Sequence, residues 1–93
     1  MLRINIDALK GSEALKSGAM HKAIMDFVEK FKPEATYFTD HDGMRTGYFV
    51  FDMQNSQQMP EISEAFFDLG CKAAISPCMT PEDLRAGFAA VGI

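Results

Sequence analysis

The chain opens on strict alternation. Leu2, Ile4 and Ile6 are apolar while Arg3, Asn5 and Asp7 are polar, the period-two pattern of a strand with one buried face over residues 2–7. A different period follows. From Gly11-Ser12 onward, Met20, Ile24, Phe27, Val28 and Phe31 recur at three-to-four spacing, which predicts one amphipathic helix that Pro33 stops. Residues 35–41 and 45–53 then read as two strands joined by Asp42-Gly43, a dipeptide suited to a type I′ turn because both central positions require positive φ. After Asn55-Ser56, either of which can cap, Met59, Ile62, Phe66 and Leu69 mark a second amphipathic helix that Gly70 terminates. Pro60 falls in its first turn if Ser56 is the cap, so its start is open at this point. Residues 71–77 form a fourth, shorter strand. Thr80-Pro81-Glu82-Asp83 then combines an N-cap, a proline at the first helical position and acids that suit the helix dipole, which predicts a final helix to about Ala90.

A β-α-β-β-α-β order with helix-length crossovers and one tight hairpin is the split-βαβ arrangement. The expectation is a single α+β domain over residues 1–93, ferredoxin-like, with a four-stranded antiparallel sheet, both long helices on one face and an extra C-terminal helix. This element order, the small size and the short terminal helix resemble the dimeric α/β-barrel superfamily, as an uncharacterised small-domain branch of it. In that superfamily two such sheets pack face to face across a two-fold axis, so the resemblance implies a homodimer or higher homo-oligomer. The superfamily hosts cofactor-independent monooxygenases, muconolactone isomerases, haem-handling enzymes and stress-response proteins, so the fold alone does not choose a function.

Composition narrows the partners. The 93 residues are 47% apolar and 24% charged, an ordinary globular balance with room for one core. Net charge is −4 with no basic run, which argues against nucleic acid and against anionic membrane surfaces, since both are bound by clustered Lys and Arg. No apolar stretch approaches the roughly 20 residues that span a bilayer, and the alternating N-terminus lacks the continuous apolar core of a signal peptide. A cytoplasmic location is expected. Cys71 and Cys78 are seven residues apart in or beside one strand. That puts them on opposite faces and roughly 23 Å apart, beyond disulfide reach.

Parity assigns the sheet faces. A two-residue turn at Asp42-Gly43 pairs Tyr37 with Tyr48, Thr39 with Thr46 and Asp40 with Arg45. Leu2, Ile4, Ile6, Phe38, Phe49, Phe51 and Ile75 then face the helices. The opposite face carries Arg3, Asn5, Asp7, Tyr37, Tyr48 and Asp52, with Thr39, Thr46, Val50, Lys72 and Ser76 beside them. Arg3 is expected to pair with Asp52, and Asp7 with Lys72. Such a face is a solvated sheet surface, a dimer interface with a small-molecule pocket at its edge, or an RNA-stacking platform. The RNA reading fails on register: Arg45-Thr46-Gly47-Tyr48-Phe49-Val50-Phe51 puts Tyr48 and Val50 outward where two aromatics are needed, and Arg3 and Asn5 stand where the first strand should offer one. Arg3, Asn5, Asp7, Tyr37, Tyr48 and Asp52 are therefore the dimer-face and ligand candidates.

Catalytic candidates are few. His21 lies beside the apolar stripe of the first helix, near Ile24 and Met25 at helical spacing, and from there could reach a pocket between helix and sheet. A histidine early in that helix is similar to the YCII-related branch of the superfamily, where a His-Asp pair is proposed for acid-base chemistry; no aspartate here matches the partner. Asp40-His41-Asp42 has metal-ligand types, but adjacent strand residues point apart and Asp42 serves the turn, so no metal site is expected. No sequence pattern calls for a cofactor. Seven methionines, Met20, Met25, Met53 and Met59 among them, suit an adaptable apolar pocket. Two function classes follow: a dimeric module binding a small molecule or partner without turnover, and a cofactor-independent isomerase or monooxygenase acting on a small hydrophobic or aromatic substrate.

Overall fold

The computed structural model describes residues 1–93. In chain order the elements are β1 (Leu2–Ile6), α1 (Ala8–Ser17), α2 (Ala19–Phe31), β2 (Ala35–His41), β3 (Met44–Val50), α3 (Gln58–Phe67), β4 (Lys72–Ile75) and α4 (Pro81–Ala90). The four strands form one antiparallel sheet in the order β2-β3-β1-β4. This is an α+β fold with an open sheet, compatible with a ferredoxin-like arrangement.

The hairpin forms in the expected register. Tyr37 lies opposite Tyr48, Thr39 opposite Thr46 and Asp40 opposite Arg45. Asp42 and Gly43 carry φ of 52° and 73°, the pair of positive values that a type I′ turn needs to match the strand twist.

Other boundaries differ from the sequence pattern, each for a local reason. The expected first helix is two. Asp7 accepts a hydrogen bond from the Lys10 amide at 3.0 Å and starts α1 at Ala8, three residues before the expected opening at Gly11. Gly18, at φ 80°, ends α1 and turns the chain into α2, a left-handed conformation that costs a side-chain-bearing residue about 1–2 kcal/mol. β3 stops at Val50 rather than residue 53 because its partners run out: β1 begins at Leu2, opposite Phe49, and β2 begins at Ala35, opposite Val50. β4 is likewise trimmed to the four residues that β1 can pair. Neither Asn55 nor Ser56 is the cap of α3. Gln57 takes that position without a side-chain bond, while Asn55 accepts from the Gln57 amide at 3.0 Å in the approach. Pro60 then falls in the first turn, where its missing N–H has no helical acceptor to lose.

The core lies between the sheet and the helices α2 and α3. Leu2, Ile4 and Phe49 from the sheet meet Met20, Phe27, Ile62 and Phe66 from the helices, all buried. Phe27 is its hub: its ring centroid lies 5.0 Å from Phe31, 5.0 Å from Phe49 and 5.1 Å from Phe51. Lys30 of α2 and Glu61 of α3 form an ion pair along the seam between the two helices. The helix layer does not reach β2. Phe38 points to the helix side yet is 59% exposed, touching the core through an edge-to-face contact with Phe49 at 5.8 Å.

α4 stands apart. Thr80 and Asp83 form a reciprocal capping box, with the Asp83 amide donating to Thr80 Oγ1 at 3.1 Å and the Thr80 amide donating to Asp83 Oδ2 at 3.0 Å. None of its residues is buried, and no other element packs substantially against it. The radius of gyration is 15.2 Å, against about 12 Å for a compact chain of this length. No helix is long and apolar enough to cross a membrane.

Candidate functional site

Two surfaces carry the chemistry, one on each side of the sheet. On the helix side, the gap over β2 leaves a cleft of about 330 Å³ walled by Leu15, Met20 and Ile24 from the α1–α2 corner and by Ile4 and Phe38 from the sheet. Gly47 makes its floor. A β-carbon there would stand 3.2 Å from Ile4 Cγ1 and Phe49 Cε2 and 3.3 Å from Phe38 Cδ1, so any larger residue would close the space between Ile4 and Phe38.

Arg45 occupies the polar end of this cleft. Strand parity turns it to the helix side, where it lies between Ile6 on β1 and Asp40 on β2. Its Nη1 donates to the Ala8 carbonyl at 2.9 Å and its Nη2 to Ser12 Oγ at 3.3 Å. Gly11 leaves the room, since a β-carbon at that position would sit 2.9 Å from Nη1. The guanidinium is therefore fixed beside the first turn of α1 with neutral partners only. A cation near the positive end of a helix dipole attracts an anion more strongly than an isolated arginine does. Asp40 lines the same cleft without forming an ion pair to Arg45.

The open face of the sheet brings together four of the six expected residues. Tyr37, Tyr48 and Arg3 form one row across β2, β3 and β1, and Thr39, Thr46 and Asn5 form the next. Asn5 Nδ2 donates to Thr46 Oγ1 at 3.1 Å, and that hydroxyl donates onward to the Met44 carbonyl at 3.1 Å. Both side chains are buried, being the short residues of the central strands beneath longer neighbours. Tyr37 is 67% exposed.

The other two expected residues stand elsewhere. Asp7 is the cap of α1 rather than a member of the sheet face, and Asp52 lies beyond the end of β3, on the walls of two hollows at that end of the sheet. Neither expected ion pair forms: Arg3 does not reach Asp52, and Asp7 does not reach Lys72, which lies on β4 opposite Asn5. His21 is exposed on α2, outside the cleft that its neighbour Met20 lines, with no carboxylate partner. His41 and Asp42 do not point apart as expected, since His41 Nε2 lies 3.4 Å from Asp42 Oδ2 at the start of the turn, but no three His, Cys, Asp or Glu side chains converge there. Both cysteines are free, Cys71 buried and Cys78 exposed. Burial pushes the Cys71 thiol up to about 11.

The cleft was within reach of the sequence. Parity already turned Phe49 and Phe51 to the helices, and so places Arg45 and Gly47 on that side too. A glycine inside a strand opposite an aromatic marks a missing side chain and hence a space. What the pattern lacked was the break at Gly18, which sets the corner that walls the cleft.

No family model, no curated protein and no solved structure matches this chain.

Proposed function

We propose that this chain is a homodimeric binding module of the dimeric α/β-barrel type, pairing through its open sheet face and holding a small molecule without turnover. The ligand class is an apolar, aromatic-sized body that carries one carboxylate. The observation that carries this reading is the Gly47-floored cleft with Arg45 fixed at its polar end by neutral partners. Its volume lies at the lower end of the roughly 300–1,000 Å³ usual for ligand sites, and its lining is mostly apolar with few polar groups, as such sites require. Asp40 at the same end disfavours a second negative charge on the ligand. For the dimer, the support is the row of Tyr37, Tyr48 and Arg3, which offers aromatic area with a polar rim and has no covering element in its own chain.

Calorimetric titration with trans-cinnamate and with cinnamyl alcohol tests the cleft. The wild type should bind cinnamate saturably and the alcohol more weakly. Arg45→Met should weaken cinnamate by roughly ten- to a hundredfold, the worth of a charge-assisted hydrogen bond at about 1.5–3 kcal/mol, and leave the alcohol unchanged. Equal cinnamate binding in the two proteins, or none in the wild type at millimolar concentration, would overturn the assignment. Sedimentation equilibrium checks the dimer: a species that remains monomeric at micromolar concentration rules it out.

A further inference from the structure

We propose that the cleft over β2 takes an aromatic α-amino acid, with Arg45 on its carboxylate, Asp40 on its ammonium and its side chain over Gly47. This rests on the carboxylate cleft proposed above and adds the charge that lies beside that carboxylate. The polar end of the cleft holds two opposite charges that face each other across the hairpin and do not pair.

The sheet register shows how unusual that separation is. Met1 and Ser76 exchange both backbone hydrogen bonds, the Ser76 amide donating at 3.0 Å and the Met1 ammonium at 2.6 Å. Alternation carried from that pair across β1 and β3 makes Asp40 and Arg45 a non-hydrogen-bonded pair. In such a pair the α-carbons are only about 4.5 Å apart and the side chains stand closest, so opposite charges normally interact directly. Here the Ala8 carbonyl and Ser12 Oγ draw the guanidinium towards α1 and away from β2. No other cation pairs with Asp40, and both residues line the same space.

An α-amino acid fits the gap. A β-carbon on Gly11 would touch both Arg45 Nη1 and Ile6 Cγ2, so the guanidinium lies over β1, whereas Asp40 stands on β2. Two strand spacings separate β1 from β2, about 9–10 Å. The ammonium and carboxylate of an α-amino acid are about 3 Å apart, and a charge-assisted hydrogen bond of about 2.8 Å at each end extends this to roughly 8–9 Å. Gly47 lies two residues along β3 from Arg45 on the same face, about 7 Å away. A benzyl group on the α-carbon covers that distance and lies between Ile4 and Phe38. The zwitterion also leaves neither charge of the cleft unmatched when water is displaced, whereas a carboxylate alone sets a second negative charge near Asp40.

Calorimetric titration of the full chain at neutral pH compares L-phenylalanine with 3-phenylpropionate, which share the benzyl group and the carboxylate and differ only in the α-ammonium. The wild type should bind phenylalanine at least about fivefold more tightly, the upper end of what an exposed ion pair contributes, because Asp40 is itself exposed. Asp40→Asn keeps the shape of the side chain and removes its charge, and circular dichroism checks that the sheet is retained. This variant should bind the two ligands within about twofold of each other. Equal affinities in the wild type, or a preference for 3-phenylpropionate, overturn the amino-acid assignment and leave the carboxylate cleft standing; that comparison needs no variant. A preference for phenylalanine that persists in full in Asp40→Asn overturns Asp40 as the ammonium's partner and with it the proposal. Binding of neither ligand at millimolar concentration overturns both the amino acid and the cleft.

Discussion

Replacing Thr46 by Val isolates the polar contact at the centre of the open sheet face. The substitution keeps the β-branch and nearly the shape of the side chain, so strand preference is unchanged. It removes the hydroxyl that accepts from Asn5 Nδ2 at 3.1 Å and donates to the Met44 carbonyl. Every buried side-chain nitrogen and oxygen in the chain has a hydrogen-bond partner. The variant would leave the buried Asn5 amide without one, at a cost of about 1–3 kcal/mol. The added methyl returns up to about 0.8 kcal/mol through apolar burial, so the expected net loss is about 1–2 kcal/mol. At roughly 4–8 °C per kcal/mol for a domain of this size, the melting temperature should fall by about 4–16 °C. Urea unfolding measures the loss, at one fixed protein concentration because the proposed dimer would couple to apparent stability. Adding Asn5→Val should recover part of it, since an apolar pair leaves nothing unsatisfied, so the double variant should be more stable than the sum of the two single losses implies. A Thr46→Val protein within about 0.5 kcal/mol of the wild type, or strictly additive single losses, would show that water satisfies Asn5 and that the face is open at its centre.

Two further outcomes follow from the core. Phe27→Ala, which empties the hub shared by Phe31, Phe49, Phe51 and Phe66, should cost about 3–5 kcal/mol in urea unfolding. Met25→Ala, on an exposed side of the same helix, should stay within about 0.5 kcal/mol, and similar losses in the two variants would contradict the assigned packing. The raised Cys71 thiol predicts an alkaline sensitivity. Above an ordinary thiol value of 9.0 the unfolded chain sheds this proton while the folded chain keeps it up to about 11. Stability contributed by the protonated thiol is thus complete below pH 9 and declines by about 1.4 kcal/mol per pH unit, roughly 2–3 kcal/mol in all. Unfolding curves of wild type and Cys71→Ala between pH 8 and about pH 11 should diverge in slope over that window; parallel slopes would show that the thiol titrates normally.

Much of this protein was written in local patterns. The alternation of Leu2, Ile4 and Ile6 set the buried face of the central strand, and Asp42-Gly43 fixed the hairpin register. Thr80 through Asp83 specified a helix start that formed as expected. These features depend on backbone conformation and on residues a few positions apart, and a sequence displays both directly. Tertiary structure decided the rest, because it depended on which elements meet. Asp7 has the parity of a sheet-face residue but caps a helix, since β1 ends one residue earlier. Arg3 and Asp52 have opposite charges and compatible parity, yet β3 loses its partners before Asp52 is reached. The helix layer stops short of β2, and only that shortfall makes an exposed side chain of Phe38 and a cleft above Gly47. The same holds for the last helix: its sequence specified where it begins, and only packing, which its own chain does not supply, leaves Leu84 and Phe88 uncovered.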